Sequence, residues 1–499
     1  MAQQSPFSLP GALYRAQQVR EIDRRAIQER GIAGYELMRR AGQAAFAELR
    51  ARWPAARRVV VVCGGGNNGG DGFVVARLAQ EAGLATQVLT LADPARLSGD
   101  ARTAYDDARQ AGAPSEPFAP ALLTGADVIV DAIFGIGLER EVSGHWRAAI
   151  DAINATPAKV LALDIPSGLH ADRGAILGAA VRADLTVCFI ALKQGLFTGA
   201  GPDCNGEIVL ADLAIPADLV ASIAPSAQLY GGENLPTLLP KRMRSAHKGD
   251  HGHVLVVGGD QGMAGAARMA AEAAARCGAG LVSVATHAAH AGLHAALRPE
   301  LMFRGVETAV ELSPLLARAS VIAVGPGLGT GAWGQLMLNA VLEQEQPLVI
   351  DADALNLIAK QTPRTARPSW VLTPHPGEAA RLLGIDTTTV QTDRFAAAER
   401  LAQHLGGVVV LKGAGTLIAS ADQTPLVCHA GNPGMASGGM GDVLTGVIAG
   451  LLAQGLTPWD AARAGVYLHA RAGDLAALDG ERGLLATDLL PWLRKLVNP

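Results

Sequence analysis

The chain has little that would tie it to a membrane, to nucleic acid or to an oxidising compartment. Its five cysteines, at positions 63, 188, 204, 277 and 428, are odd in number and form no CxxC pair. That scatter excludes a disulfide framework and a structural zinc site, and it fits reduced thiols buried in a cytoplasmic protein. No apolar run approaches the roughly 20 residues that cross a bilayer. Residues 1–10 carry no charged stretch followed by an apolar one, so no secretory leader is expected. The formal net charge is −4 with no basic block, so nothing points to nucleic acid. Only 4% of residues are aromatic, against 49% apolar and 59 glycines. Small aliphatic side chains are then the main packing material, which suits tightly layered α/β domains. At 499 residues the chain exceeds what one core organises, so two or three domains are expected.

The stretch Asn432–Asp442 holds four glycines, no β-branched residue and a terminal carboxylate, and an apolar run follows at once. It predicts a loop feeding a buried helix, whose free N–H groups and dipole suit a phosphate. Asp442 then stands where it could take a proton from a hydroxyl attacking that phosphate. Read alone, it is equally a glycine turn with Asp442 as helix cap.

Before it, residues 14 to about 50 show helical spacing, with Val19, Ile22, Ala26 and Ile27 and then Leu37, Met38, Ala41, Ala45 and Leu49. Gly31 and Gly34 separate two helices, and Pro54 ends the second. The run 58–63 reads as a buried parallel strand, followed by a glycine loop over 64–72, a helix from Phe73 and a strand over 85–90. This is a βαβ unit, with its loop at the strands' carboxyl ends, where ligands bind. The loop is neither GxGxxG nor a Walker sequence. Its oxygen donors Asn67, Asn68 and Asp71 suit a hard cation, ribose or phosphate, or else a local Asx-turn. Two further strands, 127–131 and 159–164, end in Asp131 and Asp164, so three strand ends carry Asn or Asp to one sheet edge. Lys193 follows another strand, as a cation facing that edge or as a solvated loop residue.

GGGNNGGDG, DAIFGIG, LDIPSG and the upstream ELMRRAG resemble the NAD(P)H-hydrate epimerase family over roughly residues 14 to 215. The resemblance implies a Rossmann-like αβα sandwich that interconverts the two epimers of hydrated NADH or NADPH. It implies substrate contacts from Asn67, Asn68, Gly69, Gly70 and Asp71, from the turn Gly135, Ile136, Gly137, Leu138, Glu139, Arg140 and Glu141, and from Asp164. It also implies a potassium ion held by Asn68, Asp131 and Ser167. The hydroxyl-bearing carbon sits next to the ring nitrogen, whose lone pair can expel hydroxide. Re-addition from the other face needs an acid–base group, for which Asp164 is the leading candidate and Lys193 the second.

Between about 215 and 245 periodicity dissolves among Pro216, Pro225, Pro236 and Pro240, which places a linker near 218–228. We therefore expect domains over 1–220 and 228–499. The second half again alternates strands and helices, with strands over 253–257, 281–285, 321–324, 347–350, 370–373 and 408–411. They deliver a glycine loop at 258–265, then GPGLG, DADALN, TPHPGE and KGAGT, before the stretch Asn432–Asp442. Each has a plainer reading: His375 as a turn residue, Asp351 and Asp353 as helix caps, Lys412 as solvated. Together a phosphate loop, a lysine–glycine loop and a terminal Gly-Asp describe a phosphoryl-transfer site.

These motifs, in order, are similar to the NAD(P)H-hydrate dehydratase family, ribokinase-like αβα proteins, over roughly residues 228 to 497. The resemblance implies ADP bound by Lys412, Gly413, Ala414, Gly415, Thr416 and Gly441. The hydrated dinucleotide would contact Ala266, Gly327, His375 and Asp442, with Mg²⁺ assisting phosphoryl transfer. It implies that Asp442 activates the hydroxyl of the S-hydrate, that ADP becomes AMP and phosphate, and that the chain assembles as a homo-oligomer. The other readings are a vitamin-precursor kinase with a fused nucleotide-binding regulatory domain, and a nucleotide sensor without turnover.

Overall fold

The computed structural model describes residue 9 and residues 11–361 and 366–498. The expectation about residues 1–10 therefore lies, Leu9 and the residues' sequence apart, outside the described residues. The chain divides into two compact units, Met1–Gln228 and Leu229–Pro499.

In the first unit, the helices Ala16–Arg30 and Gly34–Arg52 bury the residues that the 3.6-residue spacing predicts except Ile27, which stays 38% exposed beside the buried Ala26. Gly31 ends the first helix in the left-handed conformation, which glycine adopts without a Cβ penalty. The strands are β1 (Ala12–Tyr14), β2 (Arg58–Cys63), β3 (Ala85–Thr90), β4 (Ser115–Pro117), β5 (Val128–Ala132), β6 (Lys159–Leu163), β7 (Leu185–Phe189), β8 (Leu192–Lys193), β9 (Glu207–Ala211) and β10 (Ala227–Leu229). Seven form a parallel sheet in the order β4-β3-β2-β5-β6-β7-β9. Alternate β2 residues enter different cores: Val59, Val61 and Cys63 face one side, Val60 and Val62 the other. Burial on both faces explains the unbroken apolar run. After β2 the chain turns to β3 on one side and reaches β5 on the other, so the sheet's switch point lies at the ends of β2 and β5.

Two expectations change. The helix after β2 is Asn67–Glu81, six residues earlier than its apolar run suggests. Its glycines pack rather than loop: a Cβ on Gly69 would stand 2.3 Å from the Gly64 carbonyl oxygen, and one on Gly72 would stand 2.5 Å from Ala132 Cβ. Glycine lets this helix start lie directly on the strand ends. The stretch read as linker holds the helix Ala217–Ala221 and the start of β10, whose Gln228 and Ala227 pair with Ala12 and Leu13 of β1. Elements this short carry no readable period.

The second unit adds β11 (His253–Val257), β12 (Leu281–Thr286), β13 (Met302–Gly305), β14 (Val321–Val324), β15 (Leu348–Ile350), β16 (Trp370–Leu372), β17 (Val408–Leu411), β18 (Thr416–Ser420) and β19 (Gln423–Cys428). Their order is β13-β12-β11-β14-β15-β16-β17-β18-β19, parallel as far as β17. The hairpin β18–β19 is antiparallel and was not foreseen, because KGAGT reads as a loop that simply runs on. The helix Met440–Ala453 crosses the helix Ala264–Arg276 at small residues. A Cβ on Gly446 would lie 1.9 Å from the Ala270 carbonyl oxygen, so only glycine permits this approach. Among the described residues, no helix is long and apolar enough to cross a membrane.

Candidate active sites

The carboxyl ends of β2, β5 and β6 open onto a cleft of about 820 Å³ in the first unit. Asn67, Asn68, Asp71, Gly135, Ile136, Gly137, Leu138, Glu139, Arg140 and Asp164 all line it. Gly69 and Gly70 lie behind, Gly70 against Met38 and Ala101, and exposed Glu141 is outside the lining.

Asp164 follows β6 at φ 67°, and Ile190 follows β7 at φ 68°, both in the left-handed region that a β-branched residue rarely enters. The Phe189 N–H donates to Asp164 Oδ1 at 3.1 Å, tying these two strand ends together. Lys193 is sealed from solvent and not solvated. Its ammonium donates to Asp164 Oδ1 and, at 2.7 Å, to the Phe189 carbonyl. Burial opposes its charge, but the Asp164 carboxylate outweighs this and holds Lys193 above its ordinary range. Asp71 is driven well above the carboxylate range by burial and then by Asp164 and Asp23, with Lys193 pulling the other way. Asp23 is raised by burial, Asp100 and Asp164. The cleft therefore sets Asp164, paired with a buried ammonium, beside Asp71 and Asp23, whose pKa values burial raises, an asymmetry of the kind that divides base from acid. Asp23 and Asp100 gave no sequence signal, since each sits in an ordinary amphipathic helix.

Beneath the cleft, Ser167 donates its N–H to Asp131 Oδ2 at 2.8 Å and its hydroxyl to Oδ1 at 2.6 Å. Burial still raises Asp131 to about 6. Asn68 is 8% exposed, and neither its Oδ1 nor its Nδ2 has a hydrogen-bond partner. Gly135 packs against this side chain, where an added Cβ would stand 3.3 Å from Asn68 Cβ.

In the second unit, Asp442 lies in the first turn of the helix Met440–Ala453, behind Gly439 at φ 92°. Burial and then Asp351 raise it to about 7, with Lys412 opposing and Asp353 adding. Asp351 starts the helix Ala352–Ile358 but makes no capping bond. Its carboxylate accepts instead from Lys412 Nζ at 2.7 Å and from the Thr445 hydroxyl at 2.8 Å. Asp353 accepts from the Gly329 N–H at 2.9 Å. Lys412 is mostly buried, 3.9 Å from Glu378, which burial raises to about 7. Glu378 Oε2 accepts the His375 N–H at 2.7 Å, and Gly377 donates to His375 Nδ1 at 3.0 Å. Burial and then Lys412 lower the His375 pKa, so the imidazole is neutral.

A Cβ on Gly441 would stand 3.1 Å from Lys412 Nζ, which places the phosphate-loop helix directly over the lysine. Gly413, Ala414, Gly415 and Thr416 continue the turn, with the Thr416 hydroxyl donating to the Gly413 carbonyl at 2.9 Å. Under the turn, buried Arg394 donates to the Leu411 and Lys412 carbonyls at 3.2 and 3.1 Å. Gly327, at φ 57°, faces Ala266, whose Cβ would be 3.2 Å from a Cβ built there. Thr445 lies in the apolar run just after Asp442, and Arg394 starts the helix Arg394–Leu405, where apolar patterning hides both.

The chain matches two family models, "YjeF-related protein N-terminus" over residues 34–195 and "NAD(P)H-hydrate dehydratase" over residues 254–495. It is 52% identical to the bifunctional NAD(P)H-hydrate repair enzyme Nnr of Coxiella burnetii, covering 98% of this chain and 99% of that one. It is 44% identical to the enzyme of that name from Escherichia coli, covering 99% and 96%. A ribokinase-like superfamily protein from Enterococcus faecalis superposes with TM-score 0.51 at 34% identity, covering 55% of this chain and 96% of that one.

Proposed function

The chain belongs to the bifunctional NAD(P)H-hydrate repair enzymes, and from that premise we propose how its two units divide the work. Residues 1–220 form the epimerase domain, and residues 228–499 form the ribokinase-like dehydratase domain that consumes ADP. The enzyme epimerises R- and S-NAD(P)H-hydrate and dehydrates the S form to NAD(P)H.

In the first domain, the ring nitrogen expels hydroxide from the hydrated carbon, and water returns to the opposite face. Asp71, whose pKa burial raises, gives a proton to the departing oxygen, and Asp164, paired with Lys193, takes one from the incoming water. Asn68, Asp131 and Ser167 fit a potassium ion, because Asn68 Oδ1 is an orphaned buried oxygen and Asp131 and Ser167 are buried oxygen donors hydrogen-bonded to each other. That ion would offset the Asp131 charge and fix the Asn68 amide.

In the second domain, Asp442 takes the proton of the substrate hydroxyl, and that oxygen attacks the terminal phosphorus of ADP. The bond to AMP breaks. The ring nitrogen then expels phosphate, a better leaving group than hydroxide, and loss of a proton from the adjacent carbon restores the double bond. Lys412 and the N–H groups of Gly438–Gly441 face the phosphate charge that develops. Asp442, with Asp351 beside it, would supply the carboxylates for Mg²⁺ carried by the nucleotide, which needs only one or two from the protein and would offset phosphate charge. The observation that carries this reading is Asp442 at the glycine-rich helix start, poised near 7 beside the Lys412–Asp351 pair.

Five free, buried cysteines support a reducing cytoplasmic location, and the family resemblance supports a homo-oligomer with NADHX, NADPHX and ADP as its small-molecule partners. Asp442→Asn tests the assignment: dehydration should fall by at least about a thousandfold, ADP affinity should persist, and R- and S-hydrate should still interconvert. Equal loss of ADP binding and turnover would remove the base role from Asp442.

A further inference from the structure

The acid–base groups of the first domain account for one end of a dinucleotide, the hydrated ring, and leave the adenine end without a place. The cleft wall beyond them differs in kind. Phe134, after β5, and Trp146, on the helix Gly144–Asn154, both line the cleft and are half-buried. Their ring centroids are 4.9 Å apart with planes at 43°. Both pack on the core that receives Val60 and Val62, whereas the lining residues Val19 and Met38 belong to the core that receives Val59 and Val61. The cleft thus passes over the sheet's edge from one face to the other. Asp23 and Asp71 stand on helices of the Val19–Met38 side, and the aromatic pair stands on the opposite side. Dinucleotides bind α/β sheets across such a switch point, with one nucleoside on each side.

The two ends of the substrate also differ chemically. The hydrated ring is puckered and carries a hydroxyl, which suits carboxyl groups. Adenine is flat and aromatic, which suits a π-surface. Resting on the epimerase reading above, we propose that Phe134 and Trp146 form an adenine subsite, so that the dinucleotide hydrate lies across the cleft with its hydrated ring toward Asp71 and Asp164.

The test compares epimerisation of hydrated NADH with that of hydrated reduced nicotinamide mononucleotide, which lacks adenine. Trp146→Leu fills the space without a π-face, and Trp146→Phe keeps one. The wild type should favour the dinucleotide in KM, Trp146→Leu should lose about tenfold of that preference, and Trp146→Phe should keep most of it. Mononucleotide turnover shows that the variant cleft is folded. Calorimetry with AMP should find one site fewer in Trp146→Leu than in wild type. An unchanged KM ratio with an unchanged AMP site count overturns the subsite. Should the wild type epimerise neither compound, the epimerase reading falls, and the AMP count alone decides: a lost site supports the aromatic subsite and an unchanged count overturns it.

Discussion

Lys412 Nζ lies 2.7 Å from Asp351 Oδ1, and the other carboxylate oxygen of Asp351 is held by Thr445 at 2.8 Å. The lysine is thereby fixed from below while Gly441 passes over it. The first domain uses the same device with Lys193 and Asp164. In both, a strand-end aspartate holds an ammonium, fully buried for Lys193 and mostly buried for Lys412.

Dehydration should follow the ionisation of Asp442. Its pKa is raised to about 7, and the base must be charged, so kcat/KM should fall roughly tenfold per pH unit below that value and level off above it. Asp353 contributes to the rise, so Asp353→Asn should move the acid limb to lower pH. A pH–rate profile with saturating ADP checks both shifts.

Gly441→Ala separates stability from binding. Alanine is the better helix former by about 1 kcal/mol, yet its Cβ would stand 3.1 Å from Lys412 Nζ and 3.4 Å from Asp351 Oδ2. Thermal unfolding should be unchanged or higher, while KM for ADP rises about tenfold. Unfolding scans and ADP titrations on one preparation decide it.

Epimerisation should depend on potassium through Asp131. Replacing K⁺ by a bulky organic cation should slow it, and Asp131→Asn should raise the K⁺ concentration needed by at least about tenfold. Rates measured across a K⁺ series, with dehydration as an internal control, give the answer.

Lys193→Met should leave the mostly buried Asp164 charge without its partner and destabilise the first domain by about 3–5 kcal/mol. Adding Asp164→Asn removes the orphaned charge, so the double variant should recover part of that loss. Dehydration of pure S-hydrate should survive in both. Differential scanning calorimetry together with that assay tests the prediction.

The central strands β2, β11, β14 and β17 were legible because each is an unbroken apolar run with its residues buried, whereas the short, exposed β4 and β13 carry no such run. The glycine loops were legible as sites because strand ends carried Asn, Asp, His or Lys to one edge. The state of the two lysines was not legible. Whether a lysine after a strand is solvated depends on a carboxylate 29 residues away for Lys193 and 61 residues away for Lys412. The early start of the Asn67–Glu81 helix was hidden for a similar reason: glycine has low helix propensity, and only contact with Gly64 and Ala132 shows why it is needed. Residues 433–435 form a single 3-10 turn and the helix starts at Met440, so the last three residues of the Asn432–Asp442 stretch are helix and not loop.

The central claim is that one chain repairs both epimers by coupling inversion in the first domain to ADP-driven dehydration in the second. The most direct measurement mixes the purified protein with epimer-mixed hydrated NADH and ADP and follows the near-ultraviolet absorbance of NADH. The account predicts complete recovery of NADH from both epimers, with one AMP formed per NADH. Recovery that stops when the S form is exhausted would contradict the first assignment, and a stable phosphorylated product without NADH would contradict the second.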